Sequence, residues 1–327
     1  MRAVICPAFG DASTLTVADL PAPEMTPDGV RIAVHAAGVN FADGLMVAGK
    51  YQEKLTPPFT PGMEAAGVVL ETAPGVTTCK PGDRVMATLP FGAFADEAVA
   101  RADDVMVIPD AMDFVTAAGF PVAWGTSHFG LAVRAGLKAG ETLLVTGAAG
   151  GVGLTAVEVG RCLGATVIAC AGGADKLAVA RDHGAAHGID YKTEDLRERV
   201  KALTGGRGVD VVYDAVGGTV FDAALRSLAP NGRLLVVGFA SGAVPQVPAN
   251  ILLVKNVTVI GYYWGAYRKL DPRAIRESLG EALDWYAAGR IRPHVSHTVD
   301  LAEAARALEL LRNRASSGKV VLTTGRG

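Results

Sequence analysis

The run TLLVTGAAGGVGLTAVEVG, residues 142–160, constrains this chain most. Thr142 to Thr146 reads as a buried strand, and Gly151 to Leu163 has helical spacing. A strand that turns into a helix on glycines lets backbone approach a bound anion, and the helix N-terminus favours negative charge there. Ala148-x-Gly150-x-x-Gly153 departs from the three-glycine dinucleotide pattern at its first position. The loop alone is therefore a weak signal, and the segments C-terminal to it carry the weight.

Those segments alternate regularly. Ala165 to Ala171 is strand-like, Ala174 to His183 helical, Val209 to Tyr213 a strand, Val220 to Leu228 a helix, and Arg233 to Gly238 and Val257 to Gly261 are strands. Thr193 is read as the N-cap of a further helix that Gly205 closes as its C′ residue. Repeated βα units predict a parallel sheet covered on both faces, with ligands outside the carboxyl ends of its strands.

The first third is different. Residues 2–6, 30–38, 64–71, 84–88 and 94–100 are short apolar runs broken by Pro and Gly, the pattern of an irregular, mostly β domain. After residue 265 come two amphipathic helices, around 272–288 and 301–313, and a last strand at Lys319 to Thr323. A chain of 327 residues supports about two domains, with a ligand cleft expected between them. A net charge of −2 gives no footprint for nucleic acid or an anionic membrane. No membrane span or signal peptide is read, and four widely spaced cysteines read as reduced thiols, so the expected location is cytoplasmic.

Cofactor choice turns on the end of the second strand, where a carboxylate would hold the ribose hydroxyls of NAD. Here the segment is CAGGADK: Gly172 and Gly173 leave space and Lys176 can reach a 2′-phosphate, which favours NADPH. The rival reading gives the ribose to Asp175.

Metal ligands do not converge. His183 and His187 flank a helix end, His294 and His297 sit in an extended stretch, His35 and His128 are isolated, and no cysteines are closely spaced. Lacking a Lewis acid to polarise an alkoxide, such a site suits a substrate that accepts hydride readily. Quinones and enones need mainly positioning and a hydrogen bond to the developing oxyanion.

GVNFADGLMVAGKY (38–51), PFTPGMEAAGVV (58–69), PGDRV (81–85), VTGAAGGVG (145–153), GVDVVYDAVGG (208–218) and GKVVL (318–322) resemble the zinc-free quinone oxidoreductases of the medium-chain dehydrogenase/reductase superfamily, nearly end to end. Asn40 and Met63 stand where zinc-dependent relatives present a Cys and a His. The resemblance implies an α/β protein: a Rossmann-type doubly wound parallel sheet over residues 123–264, and a discontinuous GroES-like mostly β catalytic domain from 1–122 and 265–327. It implies a homodimer. It places Asn40, Asp43 and Tyr51 near nicotinamide and substrate, and Thr126 beside the nicotinamide amide. Ala149, Gly150, Gly151 and Val152 fall on the pyrophosphate, and Gly172, Lys176 and Tyr191 around the adenosine phosphate. Gly217, Phe239, Ser241 and Lys319 complete the cradle. Plainer roles stay open: Asp43 as a helix cap, Tyr191 and Phe239 as packing, and the Tyr262, Tyr263, Trp264 and Tyr267 cluster as either a substrate wall or a seam between domains.

These residues suit three functions. The first is NADPH-dependent reduction of a small quinone. The second is reduction of an activated C=C bond in an alkenal or enoyl thioester, with Tyr51 or water as proton donor. The third is an NADPH-binding protein with little turnover.

Overall fold

The structure, a computed structural model, describes residues 1–326. It divides into two compact units, Met1–Ala123 together with the residues from Pro293 onward, and Trp124–Arg292. The first unit supplies β1 (Arg2–Ile5), β2 (Thr16–Asp19), β3 (Gly29–Val39), β4 (Glu64–Thr72), β5 (Arg84–Thr88), β6 (Glu97–Arg101) and β7 (Val105–Val107). The second supplies β8 (Thr142–Thr146), β9 (Thr166–Ala171), β10 (His187–Asp190), β11 (Val209–Asp214), β12 (Leu228–Val236) and β13 (Thr258–Gly261). The chain then returns to the first unit through β14 (Val295–Asp300) and β15 (Lys319–Thr323).

In the second unit six strands run parallel in the order β10-β9-β8-β11-β12-β13. Strands buried on both faces read as continuous apolar runs, and TLLVT, TVIACA and VDVVYD are such runs. Leu144, Val212, Phe221, Leu225 and Leu234 lie together fully buried between sheet and helices. Each such side chain stabilises the unit by about 1.5–3 kcal/mol. Successive strands step one way from β8 to β10 and the other way from β11 to β13, so the order reverses beside β8. The crevice at that reversal lies over the glycine loop.

Two local expectations change. The helix Leu196–Leu203 is capped by Asp195, whose carboxylate accepts from the Glu198 amide at 2.9 Å, and not by Thr193. β10 was not anticipated, because HGID shows no periodicity of its own. The return to the first unit also comes later than residue 265. Helices Trp264–Leu270 and Pro272–Ala287 belong to the second unit, where Ser278 Oγ meets His128 Nδ1 at 2.8 Å and the Trp285 ring lies 4.8 Å from the His128 ring. Amphipathicity shows that a helix has a face to bury but not which unit covers it.

The first unit is organised by β3, eleven residues long, in the order β14-β15-β3-β4-β5-β7, with β6 also pairing β3. β15, β3 and β4 are thus neighbours, and one end of this trio carries Lys319, Asn40 and Glu64. Among the described residues no helix is long and apolar enough to cross a membrane.

Candidate active site

At the carboxyl end of β8 the chain turns at Gly147 and enters the helix Gly151–Cys162 through Gly150. A Cβ on Gly153 would lie 2.1 Å from the Gly147 carbonyl oxygen, so helix and loop touch backbone to backbone. Ala148 and Ala149 are buried beneath the loop, whereas Gly150 is exposed and Gly151 and Val152 are half-buried. Amides of a first helical turn have no partner within the helix, and these are presented outward at its positive end. The cradle fits a pyrophosphate.

Thr126 is fixed next to it. Ser127 Oγ donates to Val152 O at 2.8 Å and lies 2.7 Å from Thr155 Oγ1, tying the Pro121–His128 helix to the glycine helix. Tyr262 donates its hydroxyl to Thr126 O at 3.0 Å. The Trp264 ring covers Gly125 so closely that a Cβ there would sit 2.5 Å from Cζ2, and the Tyr267 ring lies 4.6 Å from Phe129. Tyr262, Trp264 and Tyr267 therefore pack inside the second unit on Thr126, Gly125 and Phe129.

At the end of β11, the buried Asp214 accepts from Thr146 Oγ1 at 2.5 Å and from the Gly217 amide at 3.0 Å. Burial pushes its carboxyl above the ordinary carboxylate range, and these donors oppose that shift. Gly217, Phe239 and Ser241 come together here: added Cβ atoms would lie 3.1 Å from the Phe239 ring at Gly217 and 3.0 Å from Ser241 Oγ at Gly218. Phe239 is 37% exposed, so it is not a core residue.

The end of β9 carries no carboxylate. Gly172 lies under the side chain of Tyr191: a Cβ there would be 2.8 Å from the Tyr191 hydroxyl and 2.9 Å from Lys192 Cε. Gly173 has φ 103° and caps the helix Ala174–Asp182, whose first turn contains Lys176. Lys192 was missed by sequence reasoning, because its approach to Gly172 depends on β10 pairing with β9.

In the first unit, Asn40 follows β3 directly and caps the helix Phe41–Val47. Asp43, fully buried, accepts from the Asn40 amide at 2.7 Å, so the capping reading of Asp43 describes its contact. Its second oxygen, Oδ1, is buried with no hydrogen-bond partner. Burial first, then the nearby Glu64, pushes the Asp43 carboxyl up to about 7 against the pull of the Asn40 and Gly62 amides and Lys319. Tyr51 is buried just beyond the helix. Glu64 at the start of β4 is opposite Gly38, where a Cβ would lie 2.3 Å from Glu64 Oε1; only a glycine leaves room for that carboxylate.

Lys319 is held by residues of the first unit. Its Nζ lies 2.7 Å from Glu64 Oε1, 2.8 Å from Asn40 Oδ1 and 3.0 Å from Val39 O, all in the first unit. An ammonium has three protons, and these acceptors use them all. Lys319 thus sits with Asn40 and Glu64 in the first unit. Glu64, the pair's other half, went unnoticed because a lone acid at a strand start has no local signature.

Among the described residues no three His, Cys, Asp or Glu side chains are grouped so as to hold a metal ion. His183 Nδ1 pairs with Glu158, and His294 Nε2 with Ser317 Oγ at 2.9 Å.

Two family models match the chain, an alcohol dehydrogenase GroES-like domain over residues 26–110 and a zinc-binding dehydrogenase domain over residues 151–287. The bovine quinone oxidoreductase-like protein 2 is 43% identical over 98% of this chain and 92% of its own. The chain belongs to the quinone oxidoreductase-like family of medium-chain dehydrogenases/reductases. A quinone oxidoreductase of Pseudomonas aeruginosa is 36% identical over 96% of this chain and 97% of its own. The Escherichia coli quinone oxidoreductase, solved in complex with NADPH, superposes with a TM-score of 0.92 at 31% identity, covering 99% of this chain and all of that one. The family's two parts, a GroES-like β domain and a Rossmann-like parallel sheet, are those seen here.

Proposed function

We propose that this protein reduces small quinones with NADPH and without zinc. The observation that carries the reading is Asn40, a carboxamide set in a buried ion pair where zinc-dependent members of the superfamily present a metal ligand. A carboxamide cannot polarise an alcohol as a Lewis acid does, but its N–H stabilises charge developing on a carbonyl oxygen. The solved relative's NADPH supports the choice of cofactor, as does the carboxylate-free end of β9.

In this reading the outward amides of Gly151 and Val152, beside Gly150 and above Ala149, hold the pyrophosphate, while the Gly150 amide closes the turn onto Gly147 O at 2.9 Å. Lys176 and Tyr191 beside Gly172 hold the 2′-phosphate, Thr126 the nicotinamide amide, and Gly217, Phe239 and Ser241 the remaining edge. Bound there, NADPH supplies a hydride. Asn40 Nδ2–H steadies the quinone oxygen, Asp43 holds Asn40 by its backbone, and Tyr51 borders the ring. Hydride plus one proton from solvent converts quinone to hydroquinone. The open edge of β13, with Leu253 and Val254 exposed on the helix before it, supports a homodimer.

The test is the initial rate of NADPH consumption with 1,4-benzoquinone and with crotonyl-CoA in parallel, each repeated with NADH and after chelation. Turnover of the quinone, preferring NADPH and indifferent to chelator, is expected. Preference for the thioester would move the protein to the reductases of activated double bonds, and silence on both would leave a cofactor-binding role.

A further inference from the structure

Asn40 is held at both ends of its carboxamide. Lys319 Nζ lies 2.8 Å from its Oδ1, and its Nδ2 donates to Glu64 Oε1 at 2.9 Å. An ammonium only donates and a carboxylate only accepts, so chemistry admits one orientation, oxygen toward Lys319 and nitrogen toward Glu64. Turned over, the amide would set acceptor against acceptor and donor against donor.

The clamp is itself fixed. Lys319 also donates to Val39 O at 3.0 Å, and Glu64 Oε2 accepts from the Val122 amide at 2.8 Å. Lys319, Asn40 and Glu64 are 6%, 7% and 0% exposed, so no solvent competes for these bonds. Strand order makes the arrangement: β15 and β4 flank β3, which delivers Lys319 and Glu64 to either side of Asn40.

We infer that Lys319 and Glu64 are positioning residues of the active site, whose ion pair orients the Asn40 carboxamide so that its second Nδ2 proton faces the oxygen of the hydride acceptor. One Nδ2 proton is used by Glu64, and the other has no acceptor among the described residues. The paired charges nearly cancel, so the site gains a fixed donor without a net charge that would hold the product anion. The inference rests on Asn40 as the oxyanion donor, and the experiment separates the two.

The variants are Asn40→Ala, Lys319→Met, Lys319→Arg and Asn40→Ala with Lys319→Met, plus Glu64→Gln with Lys319→Met, which removes both charges and leaves none unpaired. Three readouts are taken: kcat and KM for 1,4-benzoquinone, NADPH affinity from tryptophan quenching, and the 15N-labelled Asn40 side-chain amide in cofactor-free protein. Lys319→Met, and the charge-free double variant, should lower kcat by about tenfold or more with NADPH affinity kept within about twofold, as expected when a preorganised donor is lost. Lys319→Arg should restore much of kcat, and Lys319→Met should cost nothing further when Asn40 is already Ala. The Asn40 amide proton pair, resolved in the wild type, should collapse toward solvent-exchanging positions in the charge-free variant.

Equal losses with and without Asn40, an unmoved amide pair, or a large loss of NADPH affinity would overturn the inference; the last would return Lys319 to the cofactor. Full turnover by Asn40→Ala would sink the reading of Asn40 itself and the inference with it.

Discussion

Replacing Asp43 with Asn removes a charge the fold does not welcome. The folded carboxyl titrates at about 7, against an ordinary 3.8, chiefly because it is buried. Asn keeps an oxygen to accept from the Asn40 amide but never ionises. For a group whose folded pKa is raised in this direction, stability is greatest below the unfolded pKa, falls as pH rises from about 4 to about 7, and is flat above. At 1.36 kcal/mol per unit the shift from 3.8 to about 7 is worth about 4 kcal/mol, of which about 3 kcal/mol develops between pH 5 and pH 8.5. Urea unfolding of both proteins at several pH values isolates this site, since every other titrating group is shared. Asp43→Asn should gain about 3 kcal/mol on the wild type across that window. A gap that stays within about 1 kcal/mol, or that moves against Asn with rising pH, refutes the assignment of a buried, near-neutral carboxyl.

Contacts in the second unit give three further expected outcomes. Gly153→Ala should destabilise that unit by about 1–3 kcal/mol and weaken NADPH binding, because its Cβ would meet backbone on a loop that cannot give; calorimetry and cofactor titration check it, and an unchanged melting temperature counts against the contact. Thr146→Val takes the hydroxyl from the buried Asp214 and should cost about 1.5–3 kcal/mol by denaturant unfolding, a neutral result being incompatible with that bond. Lys192→Ala should weaken NADPH several-fold while leaving NADH nearly unchanged, less severely than Lys176→Ala; equal weakening of both cofactors would remove Lys192 from the 2′-phosphate.

Much of this protein was legible in order along the chain. Continuous apolar runs such as TLLVT can only be strands covered on both sides, and the glycines after β8 mark a turn that brings backbone to an anion. That Asn40 and Met63 stand at these two places is a matter of residue identity and needed no coordinates. These features are local, and local periodicity and chemistry encode them.

The Lys319–Asn40–Glu64 cluster was not legible in that way. Lys319 stands 279 residues from Asn40 and 255 from Glu64, and nothing in their spacing says that β15 and β4 flank β3. Placed by its motif alone, Lys319 reads as a cofactor ligand; placed by strand order, its three protons go to Val39, Asn40 and Glu64. The raised carboxyl of Asp43, the nearness of Lys192 to Gly172 and the return of the chain after Arg292 have the same origin. Sequence by itself determined most of the strands and helices of the parallel sheet and the glycine turn after β8. Tertiary structure alone decided which residues share a desolvated space, because strand pairing and burial are properties of the whole sheet and not of any stretch within it.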